Sequence, residues 1–352
     1  MNFSAPVKRL AALLLFVPAV CAQVHISERV LPPLPDALGV AGAFAGVSGD
    51  AFLVAGGANF PGRPPWEGGT KKWHDEIYVL PRGATNWLTG FRLPRPLAYG
   101  VSVPFVDGVL CLGGNDATSH HAEVFLLRWR EGRVLVETNF PPLPQPVANA
   151  CGVMSKDHLY IFGGEAAPGA TAALTNAWRL ALARTPSAWE RLPACPGPAR
   201  SLAVAATAEQ AVYVFGGIQL YAGADGKPAR RYLADSWALN VRDLTWTPRA
   251  ALPQPRVAVP GPAPRVGQRL VLLGGDDGSR YGYQPVAQHP GFSHDVLLYD
   301  FARDAWQHGG TIGAPLVTTT AVMWGDEIVV PSGEARPGVR SPAVTAYRVE
   351  AP

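Results

Sequence analysis

A carboxylate and a guanidinium with the spacing of a short loop stand near the end of the sequence. Glu334 follows Ser332-Gly333 directly, and Arg340 comes six residues later. A carboxylate beside a guanidinium can take up and return a proton while the same site binds an anionic substrate. The other interpretation is a structural salt bridge within a turn, and the residues alone leave both open. The pair is nevertheless the main candidate for catalysis.

A second loop of the chain nearly copies this one. Glu165 follows Gly163-Gly164 as Glu334 follows Gly333, but Thr171 stands where the later loop has Arg340. The comparison singles out the later loop as the catalytic candidate, and it leaves Glu165 as a candidate for substrate binding.

These loops belong to a repeat that fills the chain. An apolar run of four or five residues stops at a pair of small residues six times, and the pairs follow each other at 57, 50, 53, 58 and 58 residues. A repeat of about 50 residues with a strand that ends in Gly-Gly is typical of a kelch propeller blade. The pairs begin at Gly56, Gly113, Gly163, Gly216, Gly274 and Ser332.

The repeat predicts an all-β, six-bladed kelch-type β-propeller. The 38 Gly and 35 Pro residues supply turns and interrupt helices. The sixth repeat lacks a closing strand, whereas residues 24–30 read as a strand and 31–35 copy the Pro-rich corner that ends other repeats. We therefore expect the N-terminal strand to complete the last blade, with 23–352 as a single propeller domain.

In a propeller, the loops after the Gly-Gly strands and the corners that lead into the next blade gather around one mouth of the central channel. Ligand groups should come from these segments. Lys72 has the alternative interpretation of a solvated charge beside Lys71, and Tyr99 and Asn149 could instead be core residues. The candidate substrate-binding residues are Asn59, Lys72, Arg95, Tyr99, Asn115, Asn149 and Glu165.

Several chemistries find no support. The formal charge is +3, and it becomes +1 once Lys8 and Arg9 are removed. A nearly neutral sequence without a basic stripe does not favour nucleic-acid binding. The histidines lack the spacing of metal ligands, so we expect no metal site. Cys111, Cys151 and Cys195 fit buried thiols, although one disulfide among them stays open.

The first 22 residues resemble a secretory signal peptide. Lys8 and Arg9 precede an apolar stretch over 10–20, and Val20-Cys21-Ala22 fits a cleavage site. A membrane anchor is the alternative, but the stretch is short for a span. We expect export to a periplasm and no membrane attachment after cleavage.

Two regions of the sequence resemble the N-acetylneuraminate epimerase (sialic acid mutarotase) family. The first covers 39–46, 56–61, 68–73, 77–80 and 95–102, and the second, 333–340, is similar to that family's active-site loop. In better-known members the counterpart of 333–340 precedes the counterpart of 39–80. The chain therefore resembles a cyclically permuted subgroup of the family.

The resemblance implies a periplasmic six-bladed kelch enzyme that interconverts the α and β anomers of N-acetylneuraminate or a related sugar acid without a cofactor. It implies Glu334 as general base, with Arg340 either binding the substrate carboxylate or holding Glu334 ionised. The alternative is a non-catalytic kelch module that binds a carbohydrate or a protein on the same face. The sequence indicates neither the exact sugar acid nor the oligomeric state.

Overall fold

The computed structural model describes residues 24–182 and 188–350. Six four-stranded antiparallel sheets follow one another around a central axis, which confirms the all-β six-bladed propeller. The proposed signal peptide lies outside the described residues. Blade 1 contains Phe44–Ser48, Ala51–Ala55, Glu76–Pro81 and Leu88–Arg92; blade 2 contains Val101–Phe105, Gly108–Leu112, Val124–Arg130 and Arg133–Glu137; blade 3 contains Cys151–Ser155, His158–Phe162, Ala177–Ala181 and Trp189–Arg191.

The other three blades have the same order of strands, except that the sixth takes its outer strand from the N-terminal side of the chain. Blade 4 contains Val204–Ala208, Ala211–Phe215, Ser236–Asn240 and Trp246–Arg249; blade 5 contains Arg265–Val266, Arg269–Leu273, Asp295–Asp300 and Ala305–Thr311; blade 6 contains Val322–Trp324, Glu327–Arg336, Val339–Glu350 and His25–Leu31.

The N-terminal strand closes the ring, as the sequence predicts. His25–Leu31 pairs antiparallel with the last strand, from His25 opposite Glu350 to Leu31 opposite Val344. Arg29 also donates to Glu327 at 2.5 Å. Closure in this way leaves no open sheet edge between the first and last blades.

Gly-Gly is required at the strand ends because the next blade comes too close for a side chain. A Cβ on Gly216 would lie 2.3 Å from the carbonyl oxygen of Arg256, and the φ of Gly216 is +56°. The following N–H, that of Gly217, donates to the same carbonyl at 2.8 Å. The second glycine of the pair makes this backbone link to the next blade in blades 1 to 4.

The tryptophans in or next to the outer strands lie between blades. The indole N–H of Trp87 donates to the carbonyl of Pro32 at 2.9 Å, and that of Trp246 donates to Pro193 at 2.9 Å. Trp189 and Trp306 make the same contact with Pro141 and Ala250. Each ring buries apolar surface and satisfies its polar group at the corner of the preceding blade.

A closed ring of six backbone hydrogen bonds surrounds the axis. Each blade contributes one residue with left-handed backbone, and its N–H donates to the corresponding carbonyl of the preceding blade at 2.7–2.9 Å. Left-handed backbone is strained for a residue with a side chain, so this ring fixes where those side chains point. The axial ring consists of Gly42, Tyr99, Asn149, Leu202, Ala258 and Thr318.

Loops after the Gly-Gly pairs carry the remaining elements. Two short hairpins, Ala58–Asn59 with Lys72–Trp73 and Ile218–Ala222 with Pro228–Tyr232, extend from blades 1 and 4. Single-turn 3₁₀ helices occur at Pro65–Glu67 and Val286–Gln288. Among residues 24–182 and 188–350, no helix has both the length and the apolar composition that a membrane span requires. Cys111, Cys151 and Cys195 are free thiols.

Candidate active site

Glu334 lies at the channel mouth because its strand continues past the Ser332-Gly333 pair. Its backbone exchanges two hydrogen bonds with Val317, at 2.9 and 3.0 Å, directly beside Thr318 of the axial ring. The strand then turns at Gly338 and returns, so that Arg340 stands opposite Glu334 in the sheet register. We call residues 334–340 the blade 6 hairpin.

The two charged groups of this hairpin form an ion pair. Arg340 Nη1 lies 3.2 Å from Glu334 Oε1, and the side chains are 5% and 20% exposed. The same carboxylate oxygen accepts the N–H of Gly338 at 2.6 Å. The other oxygen of Glu334 has no hydrogen-bond partner among residues 24–182 and 188–350, so one face of the carboxylate remains available to a ligand.

Arg340 is held by two further blades. Its Nε donates to the carbonyl of Ala58 at 3.2 Å, and its Nη2 donates to the hydroxyl oxygen of Tyr99 at 3.3 Å. The guanidinium also lies 4.8 Å from the centre of the Phe60 ring, a favourable cation–π contact. All three nitrogens of the guanidinium are thus engaged by the protein.

Lys71 supplies a second cation at this mouth. Its Nζ lies 4.9 Å from the ring centre of Tyr99, 5.4 Å from that of Trp73 and 5.7 Å from that of Phe60. Within the described part of the chain, the Lys71 ammonium has no carboxylate at ion-pair distance. The three rings therefore hold a charge that is free to meet an anion.

These groups line one open cavity of about 270 Å³. Its charged residues are Glu334, Arg340 and Lys71, so the cavity carries one net positive charge. Such a site suits a small monoanion that must also meet a carboxylate base. The lining residues are Phe60, Pro65, Lys71, Tyr99, Asn149, Leu202, Thr318, Glu334, Gly338 and Arg340.

Four of the residues nominated from the sequence meet in this cavity: Glu334, Arg340, Tyr99 and Asn149. Tyr99 and Asn149 belong to the axial ring, which explains why both face the channel. The side-chain amide of Asn149 has no hydrogen-bond partner within residues 24–182 and 188–350. It is therefore available to a ligand.

Lys72 and Arg95, which the sequence also nominates, do not line this cavity. Along the extended segment 71–73, alternate side chains face opposite sides. Lys71 lines the cavity and contacts the Trp73 ring, whereas Lys72 is exposed and borders only a neighbouring cleft. Arg95 is half exposed and pairs across the blade interface with Glu123 at 3.2 Å.

Asn59 also lies outside this cavity. It is buried, donates to the carbonyl of Gly39 at 2.9 Å, and lies 2.8 Å from the imidazole of His74. These hydrogen bonds anchor the loop of blade 1.

Asn115 and Glu165 occupy the position of Glu334 in their own blades without lining the cavity. Asn115 Oδ1 accepts the indole N–H of Trp73 at 2.9 Å and so orients one of the rings around Lys71. Glu165 bridges Ala148 through its backbone.

The sequence analysis missed Lys71, Phe60, Leu202 and Thr318. A signal existed for two of them, because Leu202 and Thr318 occupy the same repeat position as Tyr99 and Asn149. Lys71 and Phe60 lie in a non-repeating loop, where no such signal exists. Within the described residues, no group of three or more His, Cys, Asp or Glu side chains is placed to hold a metal ion.

The fold and the repeats define a kelch-repeat protein. Residues 101–338 match the family model of the KLHDC2/KLHL20/DRC7 Kelch-repeats domain. This match covers more than half of the sequence, and the chain therefore belongs to the kelch-repeat family. Fold similarity agrees: the solved structure described as "Structure of YjhT" aligns with a TM-score of 0.62 at 13% identity, over 77% of this chain and 84% of that chain.

The comparisons also confirm the more specific resemblance. Residues 31–136 match the N-acetylneuraminate epimerase family model. The N-acetylneuraminate epimerase of Brucella suis is 41% identical over 122 residues, which is 31% of this chain and 31% of that protein. The enzyme of the same name from Salmonella enteritidis is 39% identical over 125 residues, or 32% of each chain. The chain thus spans about a third of the length of these curated relatives.

Proposed function

We propose that the protein is a cofactor-independent mutarotase that interconverts the α and β anomers of N-acetylneuraminate or a related sugar acid. One observation carries the proposal: the carboxylate of Glu334 opens onto a cavity that also holds the free ammonium of Lys71. A base and an unpaired cation are what the ring opening of a sugar acid needs. The N-terminal residues support the further proposal that it acts after export to the periplasm.

The order of the matched segments supports the same proposal. The epimerase family model stops at residue 136, and the blade 6 hairpin lies far beyond it in sequence. In the closed ring, however, Arg340 touches Ala58 and Tyr99 of the matched segment. A permuted chain would give this result, since a collinear alignment follows only one side of the permutation point.

The reaction divides among these groups as follows. Glu334 takes the proton from the anomeric hydroxyl, the bond between the anomeric carbon and the ring oxygen breaks, and that oxygen keeps the electron pair and gains a proton from water, which becomes hydroxide. The bond to the open-chain ketone then rotates and the freed hydroxyl attacks the other face of the carbonyl. The hydroxide takes back the proton of that hydroxyl, and Glu334 returns its proton to the carbonyl oxygen, which becomes the new anomeric hydroxyl. Arg340 orients the carboxylate of Glu334 through the contact between Nη1 and Oε1.

The structure favours Lys71, rather than Arg340, as the partner of the substrate carboxylate. Arg340 is almost fully buried and each of its nitrogens already donates within the protein. These bonds use three of its five N–H donors and hold the guanidinium at 5% exposure, whereas the ammonium of Lys71 has no competing anion.

The direct test follows the approach to anomeric equilibrium by proton NMR. The α anomer of N-acetylneuraminate is released in situ from an α-glycoside, and its conversion is recorded with and without protein. We expect the protein to accelerate equilibration. An unchanged rate with several sugar acids would instead indicate a non-catalytic binding module.

Lys71→Met should weaken substrate binding. The substitution keeps the length of the side chain but removes the charge that meets the carboxylate, so KM should rise by about 10- to 100-fold with little change in kcat. The NMR assay at several substrate concentrations measures both constants.

Lys72→Met is the matched control, because the adjacent lysine is exposed and does not line the cavity. It should leave KM unchanged. Equal effects of the two substitutions would contradict the assignment and indicate a general electrostatic attraction of the substrate.

A further inference from the structure

A second cleft lies beside the blade 6 hairpin on the same mouth of the channel. It is formed by the hairpin of blade 4, which ends at Tyr232, and by the loop that follows Gly274-Gly275 in blade 5. Pro337 borders this cleft while the adjacent Gly338 borders the Glu334 cavity. The side cleft has a volume of about 200 Å³ and is lined chiefly by Arg230, Tyr232, Asp276, Arg280, Tyr281 and Tyr283.

The charges of the side cleft are unbalanced. Arg230 and Arg280 have no carboxylate at ion-pair distance within residues 24–182 and 188–350. Both oxygens of Asp276 are occupied, one by the hydroxyl of Tyr232 at 2.7 Å and the other by the N–H of Gly278 at 3.0 Å. Two guanidinium groups are therefore available to an anion, and their planar geometry suits a carboxylate.

Aromatic rings form the walls of the side cleft. Tyr232 and Tyr281 meet edge to face with ring centres 5.8 Å apart, and the guanidinium of Arg230 lies 5.7 Å from the Tyr281 ring. Tyr281 is 61% exposed and Tyr283 is 40% exposed. Large aromatic side chains grouped at the surface around convergent polar groups are typical of a binding site.

The loop that carries these rings is fixed to the propeller. Arg280 Nη1 donates to the carbonyl of Gly291 at 2.9 Å, and the Tyr283 ring packs against buried His289 with ring centres 5.4 Å apart. Arg336 of the blade 6 hairpin donates to the carbonyl of Ala287 at 2.8 Å. The side cleft is thus preformed and attached to the hairpin that carries Glu334.

We propose that the side cleft is a second binding site, separate from the Glu334 cavity, that takes a carboxylate-bearing sugar. Arg230 and Arg280 bind the carboxylate, the exposed tyrosines pack against the sugar ring, and the hydroxyl of Tyr232 stays protonated. Burial, together with the hydrogen bond to Asp276, raises the pKa of Tyr232, which keeps this phenol neutral.

The probe is the methyl α-glycoside of N-acetylneuraminate, which lacks a free anomeric hydroxyl and cannot be turned over. Binding is measured by calorimetry and by saturation-transfer NMR on the full chain and on Lys71→Met, in which the Glu334 cavity is weakened. We expect Lys71→Met to retain binding, and Arg280→Gln in that background to weaken it by about tenfold or more. Arg230→Gln should act in the same direction, and it removes no hydrogen bond of the loop.

Arg231→Gln is the matched control. Arg231 is exposed on the same strand as Arg230, but alternation turns its side chain away from the side cleft. Melting temperatures of all variants show that the loop remains folded. The proposal is overturned if Lys71→Met alone abolishes binding, if both cleft substitutions bind like Arg231→Gln, or if neutral methyl glucoside binds equally well.

Discussion

Glu334→Gln is expected to lower kcat by about 10²–10⁴-fold, the usual contribution of a positioned general base. The amide has the size of the carboxylate and can still accept the N–H of Gly338, so the shape of the hairpin is kept. What it cannot do is take the proton of the anomeric hydroxyl. The NMR equilibration assay at saturating substrate measures the loss.

Glu165→Gln is the matched control for this variant. Glu165 follows the glycine pair of blade 3 as Glu334 follows that of blade 6, yet it does not line the cavity. Its substitution should leave kcat unchanged. A similar loss in both variants, or a full rate in Glu334→Gln, would remove Glu334 from the mechanism.

Stability must be measured in parallel, because Glu334 is also the ion-pair partner of a buried arginine. Neutralising the acid leaves Arg340, whose side chain is only 5% exposed, without a counter-charge. The free energy of unfolding should therefore decrease. A folded variant with a lower melting temperature and no activity still supports the base role. Only an unfolded variant would require the milder Glu334→Asp, which keeps the charge and withdraws the carboxylate.

The propeller could be predicted in detail because each blade repeats the same physical requirement. Gly216 must be glycine since the carbonyl of Arg256 occupies the place of its Cβ, and five of the six pairs show that signature in the sequence. Ser332 breaks the pattern for a reason only the structure shows. Its hydroxyl lies 2.9 Å from the carbonyl of Val40 and 2.7 Å from that of Ser341, which joins blade 6 to the N-terminal segment.

The site was predicted less completely because the loop of blade 1 has no period. The sequence Lys71-Lys72 does not indicate which lysine lines the cavity. The structure pairs Lys72 with Asn59, and this register determines the side to which each successive side chain points. Asn59 and Arg95 are polar, as ligand-binding residues often are. In the structure, however, Asn59 forms a hydrogen bond with His74 and Arg95 forms an ion pair with Glu123. A polar residue in a loop at the channel mouth is therefore a candidate for ligand binding. Only strand register and burial show whether its side chain lines the cavity or forms hydrogen bonds within the protein.

Blade 6 differs from the others in a way that joins stability to the site. Its second strand, Glu327–Arg336, runs past the small-residue pair, and its third begins at Val339, so the hairpin with Glu334 and Arg340 is a continuation of the sheet. The outer strand of that sheet is His25–Leu31. The N-terminal strand of the propeller therefore stabilises the sheet that carries Glu334, the candidate base.

A chain that lacks residues 24–31 is expected to unfold or to melt at least 10 °C lower. The deletion removes seven paired residues of strand ladder, the Arg29–Glu327 ion pair and the buried side chain of Leu31. Backbone hydrogen bonds contribute about 1 kcal/mol each, so the loss approaches the total stability of about 5–15 kcal/mol of a folded domain. Thermal melting followed by circular dichroism measures the effect.

Two comparisons make this deletion informative. Val30→Ala is the control, since Val30 lies in the same strand with 78% of its surface exposed and should melt like the parent chain. A synthetic peptide of residues 24–31, added in excess, should raise the melting temperature of the shortened chain by filling the vacant edge of blade 6. A shortened chain with an unchanged melting temperature would show that the stability of the ring does not depend on its closing strand.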